Sequence, residues 1–212
     1  MSLSSALNVA QSSLTATSTQ TSVLSRNVAG ADDPTYNRKA GTLVTTYGGA
    51  VRIASISRAV DSVLFAAKLG STATTSGQQA IVDALDQLEA TVDDPELDQS
   101  LAAKLGALTN ALQQYGVTPD DPLLAQNVLT KATEMVRSLN AASEAVRTVR
   151  QQADADMALG VERVNGLLKE FEVANRAIVK GSQSGADITD QLDTRDRILS
   201  QLSEEMGISV AT

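Results

Sequence analysis

The stretch KATEMVRSLNAASEAVRTVRQQADADMALGVERVNGLLKEFEVANRAIVK, residues 131–180, contains no proline and keeps one spacing throughout. Ala132, Val136, Leu139, Ser143, Val146, Arg150, Ala153, Met157, Gly160, Val164, Leu167, Phe171, Ala174 and Ile178 follow one another at alternating steps of four and three. That is the 3.5-residue period of helices that wrap around partner helices. With Asp121-Pro122 as its start, the helix runs for roughly 57 residues, or on the order of 85 Å. This is far beyond an ordinary globular helix. The seam is small and mixed rather than leucine-rich, which suits a multi-helix bundle better than a dimeric zipper. Its packing positions are Val136, Leu139, Val146, Met157, Val164, Leu167, Phe171 and Ile178.

The same spacing extends in both directions. KGSQSGAD (180–187) breaks the long helix, and Ile188, Leu192, Arg195, Leu199, Leu202 and Met206 mark another, packed through Leu192, Leu199 and Leu202. GISV (207–210) reads as the first residues of a strand. Upstream, the tripeptide Asp-Asp-Pro occurs at 93–95 and at 120–122. An aspartate accepts the free amides of a first helical turn, and proline there loses no hydrogen bond. Each copy therefore opens a helix, the first carrying Leu97, Leu101, Leu105, Leu108 and Leu112 and ending near Gly116. Before it, Val60, Val63, Leu64, Ala67, Ile81, Leu85, Leu88 and Val92 read as helix around GSTATTSGQQ (70–79), a poor helix former that is either a weak continuation or a break.

At the N-terminus, Leu3, Leu7, Ala10, Leu14, Thr17, Thr21, Leu24 and Val28 repeat the four-three step over about four heptads. The rest of this segment is Ser, Thr, Asn and Gln, so it is marginal alone and expected to order against partner helices. The rhythm stops at NVAGADDPTYNRKAG (27–41). A hairpin follows: Leu43, Thr45 and Tyr47 alternate, Gly48-Gly49 offers the positive φ angles of a tight turn, and Val51 and Ile53 resume the alternation. The expected fold is mainly α, an elongated antiparallel helical bundle or coiled coil with a short β-hairpin after the N-terminal helix. Its parts are an N-terminal helix and turn motif (1–40), a hairpin connector (41–58), a long-helix rod domain (59–207) and the start of a β segment cut short (208–212).

Composition narrows the chemistry. The 212 residues include 17 Lys and Arg against 25 Asp and Glu, a net charge of −8, without a basic run. This argues against a nucleic-acid binder. There is no histidine and no cysteine. Ser-His-Asp and Cys-His catalysis, the usual transition-metal sites and disulfides are thereby excluded. Asp154 and Asp156 point about 200° apart on a helix and cannot share a metal. GSQSG (181–185) has Gln183 where a nucleophile elbow needs serine, and no glycine cluster forms a phosphate-cradling loop. The expectation is a protein without catalytic residues, metal or cofactor. No window is apolar enough to span a membrane, and residues 1–25 lack the pattern of a cleaved secretory signal. The aromatics are few: Tyr36, Tyr47, Tyr115, Phe65 and Phe171, with no tryptophan.

Asn27-Val28-Ala29-Gly30-Ala31-Asp32-Asp33-Pro34-Thr35-Tyr36-Asn37-Arg38 resembles N-I-(A/S)-N-A-N-T-P-G-Y-x-R, the motif that follows the N-terminal heptad helix in axial proteins of the bacterial flagellum. Gly30 stands for Asn, Asp33 for Thr and Thr35 for Gly. The first exchange is expected to be mild, because both residues tolerate a left-handed backbone, whereas β-branched Thr35 takes such a backbone badly. Ala174-Asn175-Arg176-Ala177-Ile178, Leu192-Asp193-Thr194-Arg195-Asp196 and Leu199-Ser200-Gln201-Leu202-Ser203 are similar to the LNxQI…LDQRDxLLxxLS region of the hook-associated protein 1 family. The two matches identify the chain as resembling the N-terminal part of that family.

The resemblance implies a structural subunit at the junction of hook and filament, located on the extracellular flagellum after type III secretion from the cytoplasm. Its implied partners are copies of itself in a ring, the hook protein, a second junction protein, the export apparatus and a chaperone, with no nucleic acid and no membrane insertion. Leu3, Leu7, Ala10, Leu14, Leu24 and Val28 would form the assembly seam. Asn27, Gly30, Asp33, Pro34, Tyr36 and Arg38 would form the joint between inner and outer shells, with Tyr36 as its packing anchor. Readings left open beside it are a flagellin or other rod or hook protein, a non-flagellar coiled-coil scaffold, and a lipid- or granule-coating bundle. A flagellin should lack the Pro34–Tyr36–Arg38 turn and the hairpin after it. A coat protein should expose large apolar residues on a helix face rather than gather them in narrow seams.

Overall fold

The computed structural model describes residues 3–46, 48–92 and 100–210. Along the chain run α1 (Leu3–Ala29), β1 (Lys39–Thr45), β2 (Val51–Arg58), α2 (Ser62–Val92), α3 (Leu101–Val117), α4 (Pro122–Ser184) and α5 (Thr189–Glu205). The protein is mainly α with one antiparallel hairpin directly after the first helix. The expected helix start at Asp94-Pro95, with Leu97, and the expected strand residue Tyr47 lie outside the described residues.

Helix ends follow from local chemistry. Asp61 Oδ1 accepts the amides of Val63 and Leu64 at 2.9 and 3.0 Å, and Asp121 Oδ1 accepts that of Leu123 at 2.8 Å, with Pro122 at the first helical position. Ser100 Oγ accepts the Ala103 amide at 3.1 Å and so caps α3. Replacing Ser100 with alanine leaves that amide unpaired and should cost about 1 kcal/mol in urea unfolding. α4 stops where Gly185 takes φ +70°. The Ala186 amide then reaches back to the Gly181 carbonyl at 3.0 Å and the Gly185 amide to that of Ser182 at 3.3 Å, the paired bonds of a left-handed helix terminus. α2 passes through residues 70–79 without a break.

β1 and β2 pair from Lys39 opposite Arg58 to Thr45 opposite Val51, with a bulge beside Thr42/Leu43 that leaves Ala54 as the extra residue. Gly48 and Gly49 both take positive φ, and the Thr46 amide donates to the Ala50 carbonyl at 2.7 Å across the turn. β1 itself begins at Lys39.

Residues 1–74 with 163–212 form one compact unit, and residues 75–162 form another. In the first, Leu69 of α2, Ala174 of α4 and Ile198, Leu199 and Leu202 of α5 make the core, covered by Phe65, Val164, Leu167, Phe171, Ile208 and Val210. Val164, Leu167, Phe171, Leu199 and Leu202 are thus at the core, and Leu192 and Ile178 are half-buried. Residues 207–210 carry no strand, but Ile208 and Val210 lie against this core.

The second unit has a thinner interior, with Ala111 its single fully buried residue among those described. Here the expected seam is displaced. Val136, Leu139, Val146 and Met157 are exposed, Met157 by 64%. The half-buried stripe of α4 is Val128, Lys131, Met135, Ser138, Ala142, Ala145 and Val149, one position earlier and about 100° around the helix. α2 and α3 keep part of the expected stripe, with Leu88, Leu101 and Leu108 half-buried, and lose the rest. Val63, Leu64, Ile81, Leu85, Leu105 and Leu112 face solvent, while Phe65, Leu69 and Ala73, and separately Leu101, Leu108, Ala111 and Tyr115, face inward. Each helix thus carries a second stripe with the same period beside the exposed one.

α1 has two stripes as well. Ser5, Val9, Ser12, Ala16, Thr19, Val23 and Arg26 run along its covered side at four-three steps, and α1 lies on both strands. Ser12 Oγ accepts the Val51 amide at 3.1 Å. Its hydroxyls also turn inward upon the helix: Ser12 donates to the Val9 carbonyl, Thr15 to Gln11, Thr19 to Thr15 and Thr21 to Thr17, at 2.9–3.0 Å.

Candidate functional site

The segment after α1 folds as a series of short turns. The Gly30 amide donates to the Arg26 carbonyl, the Asp33 amide to Gly30 and the Tyr36 amide to Asp33, at 2.9–3.1 Å. Tyr36 folds back so that its ring lies over Gly30. A Cβ at Gly30 would sit 2.5 Å from Tyr36 Cγ. Gly30 is absent from the glycines with positive φ, so tolerance of a left-handed backbone is not what this position uses. The glycine is needed for the approach of the ring. The other two departures from the flagellar motif bond to each other: Asp33 Oδ1 accepts both the amide and the hydroxyl of Thr35, at 2.8 and 2.7 Å. These two bonds, the side-chain one first, hold the Asp33 carboxyl below its ordinary range.

Asn27 is the centre of the joint. Its Oδ1 accepts the Tyr36 hydroxyl at 2.9 Å and the Lys39 amide at 2.8 Å, and its Nδ2 donates to the Lys39 carbonyl at 2.8 Å. The end of α1 is thereby pinned to the first residue of β1. Pro34 and Arg38 are exposed. The buried cation is the neighbour of Arg38, Lys39, which is 2% exposed with its ammonium 4.2 Å from the centroid of the Tyr36 ring.

Lys39 leads to a charge cluster. Asp187, Asp190, Asp193 and Asp196 fall at steps of three around the first turns of α5. Arg26 of α1 pairs with Asp187 at 2.9 Å and Asp190 at 3.2 Å. Lys39 of β1 pairs with Asp190 and, at 3.0 Å, with Asp193. Arg58 of β2 pairs with Asp193 and Asp196, both at 2.8 Å. Asn37 Nδ2 donates to Asp193 Oδ1 at 2.9 Å, and Arg195 flanks Asp196 at 3.0 Å. Burial disfavours the Lys39 ammonium, but its bonds to Asp190 and Asp193 outweigh this and hold its pKa above the ordinary value. Arg26 behaves likewise beside Asp187 and Asp190. Asp190 is held low, chiefly by the hydrogen bond from Lys39. For Asp187, burial works upward, but the bonds from Thr189 and Arg26 prevail and lower it. Among the described residues no group of acids is arranged to hold a metal ion.

The cluster was legible only in part. Four aspartates at a three-residue step within ADITDQLDTRD are a visible acidic stripe, but Arg26, Lys39 and Arg58 have no spacing that connects them.

On the other side of α1, the expected assembly seam has no cover. Leu3, Leu7, Ala10, Leu14, Leu24 and Val28 are all exposed, Leu3 by 89% and Leu14 by 72%. The joint thus fixes a helix whose larger apolar residues point away from its own hairpin. No helix of the described residues is long and apolar enough to cross a membrane.

Residues 85–212 match the family described as flagellar hook-associated protein FlgK, helical domain, which is more than half of the chain. No curated protein matches it. The matched region includes α3, α4 and α5 together with the aspartates that hold the joint. The chain belongs to the FlgK family of flagellar hook-associated proteins.

Proposed function

We propose that the chain is a structural subunit of the junction between hook and filament, without catalytic activity, and that helices of neighbouring subunits cover its α1 stripe. The observation that carries this reading is the pair of faces on α1. One face is occupied by the hairpin, and the other leaves Leu3, Leu7, Leu14, Leu24 and Val28 in water. An exposed stripe of this kind is stabilised only when a further helix packs on it. Residues 1–40 then serve as the inner-tube segment, 41–58 as the connector and 59–207 as the outer rod domain. Asn27, Gly30, Asp33, Pro34, Tyr36 and Arg38 make the joint between the two shells. The partners are copies of the chain in a ring, the hook protein and the second junction protein, reached by type III export with a chaperone. A chain without disulfides and with a thin core suits passage through a narrow export channel in the unfolded state.

Immunogold electron microscopy of flagella from the source organism, with antibody raised against residues 59–206, tests the location. Gold is expected at the hook–filament boundary, or at bare hook tips when filament is missing. Gold along the whole filament would overturn the junction role. In the same assay, a Leu7→Asp/Leu14→Asp chain should keep its helix content by circular dichroism yet leave no gold at the tip. Undiminished labelling by that chain would remove the stripe from assembly.

A further inference from the structure

We propose that α1 and the β1–β2 hairpin form a module docked on the helical core of their unit by ion pairs and hydrogen bonds, so that acid releases the module while α2, α4 and α5 stay packed. Two observations carry this. First, the hydrophobic core of the unit draws on α2, α4, α5, Ile208 and Val210, and on no described residue of α1, β1 or β2. Second, the bonds from the module to α5 run through one polar cluster: Arg26 to Asp187 and Asp190, Asn37 to Asp193, Lys39 to Asp190 and Asp193, and Arg58 to Asp193 and Asp196.

The module has its own internal bonding. Asn27 ties α1 to β1, Ser12 ties α1 to β2, and the Ala59 amide donates to the Arg38 carbonyl beyond the end of β2. It can therefore leave α5 as one piece. Every acid bonded in the cluster lies on the α5 side, and every cation but Arg195 lies on the module side. At its edge Asp33 of the module faces Arg197 of α5 in the reverse sense, an attraction likewise lost in acid. Protonating the aspartates would leave buried Lys39 and half-buried Arg58 without counter-charges, a state that favours exposure of both to water.

The direction of the pH response follows from the groups named. Asp187 and Asp190 titrate below their ordinary value in the docked state. Their contribution is complete above the ordinary aspartate pKa of about 3.9 and is lost as pH falls through the lowered values. Lys39 titrates above its ordinary value, so its contribution is complete below about pH 10.4 and lost only as pH rises through the raised value. With no histidine in the chain, docking is flat between these limits.

The absence of cysteine makes site-specific dye pairs straightforward. One full-length chain carries Thr42→Cys and Gln201→Cys, exposed positions on β1 and α5, and reports docking. A second carries Asn175→Cys and Gln201→Cys, exposed positions on α4 and α5, and reports the core. Between pH 7 and pH 2, energy transfer in the first pair should fall by at least half, before any change in the second pair or in helical ellipticity. A single transition shared by all three signals would overturn the proposal. Lys39→Met and Asp190→Asn should each move the release midpoint toward neutral pH by half a unit or more. Should Lys39→Met fail to fold, Asp190→Asn, at a carboxylate near the surface, decides alone, and an unmoved midpoint there also overturns the proposal.

Discussion

Replacing Ile198 with alanine lowers stability in urea unfolding by about 2–5 kcal/mol. Ile198 is 1% exposed and lies among Leu69, Ala174, Leu199 and Leu202, where α5 meets α2 and α4. Truncation removes three carbons from a core built of few large groups. The neighbours belong to long helices whose backbones cannot move inward at one point alone, so the cavity stays open. Val136→Ala is the contrast. That side chain is 55% exposed on α4, and its loss should stay within about 0.5 kcal/mol. Equal costs for the two changes would mean that the expected seam, rather than the observed core, holds the fold.

The second large effect is at Gly30. Alanine there places a Cβ 2.5 Å from Cγ of Tyr36, at the base of a ring with no flexible end to bend aside. The ring must move, and its hydroxyl then loses Asn27, the residue that joins α1 to β1. The expected cost is about 1–3 kcal/mol, with faster amide exchange at residues 26–40. Gly70→Ala should do the opposite. Gly70 is inside α2 with nothing within 4 Å of its would-be Cβ, so alanine gains up to about 1 kcal/mol there. If Gly30→Ala is neutral, Tyr36 does not depend on the glycine.

These two sites mark how far the sequence could be read. A 3.5-residue period identifies a helix and its preference for helical partners, and every helix found that way is present among the described residues. The period does not say which of two equivalent stripes faces inward. Val164, Leu167 and Phe171 coincide with the core, where α4 packs against Leu69 of α2 and Ile198, Leu199 and Leu202 of α5. Val136, Leu139 and Val146 do not, because Met135, Ala142, Ala145 and Val149 offer a second stripe one step away. The hairpin was legible from Gly48-Gly49, whose φ angles few other residues adopt. The joint was legible as a motif but not as geometry. Gly30 depends on Tyr36 six residues later, and Lys39 on aspartates some 150 residues away.

The hydroxyls of α1 have a consequence for its handling in different surroundings. Thr15, Thr19 and Thr21 already donate to carbonyls of their own helix, so they would need no new donor partners if water were withdrawn. A helix with this chemistry is amphibious: it stays wettable while alone, yet it can be enclosed by other helices without stranding those protons. Thr21, between Leu14 and Leu24, would then offer its methyl group to whatever closes over it.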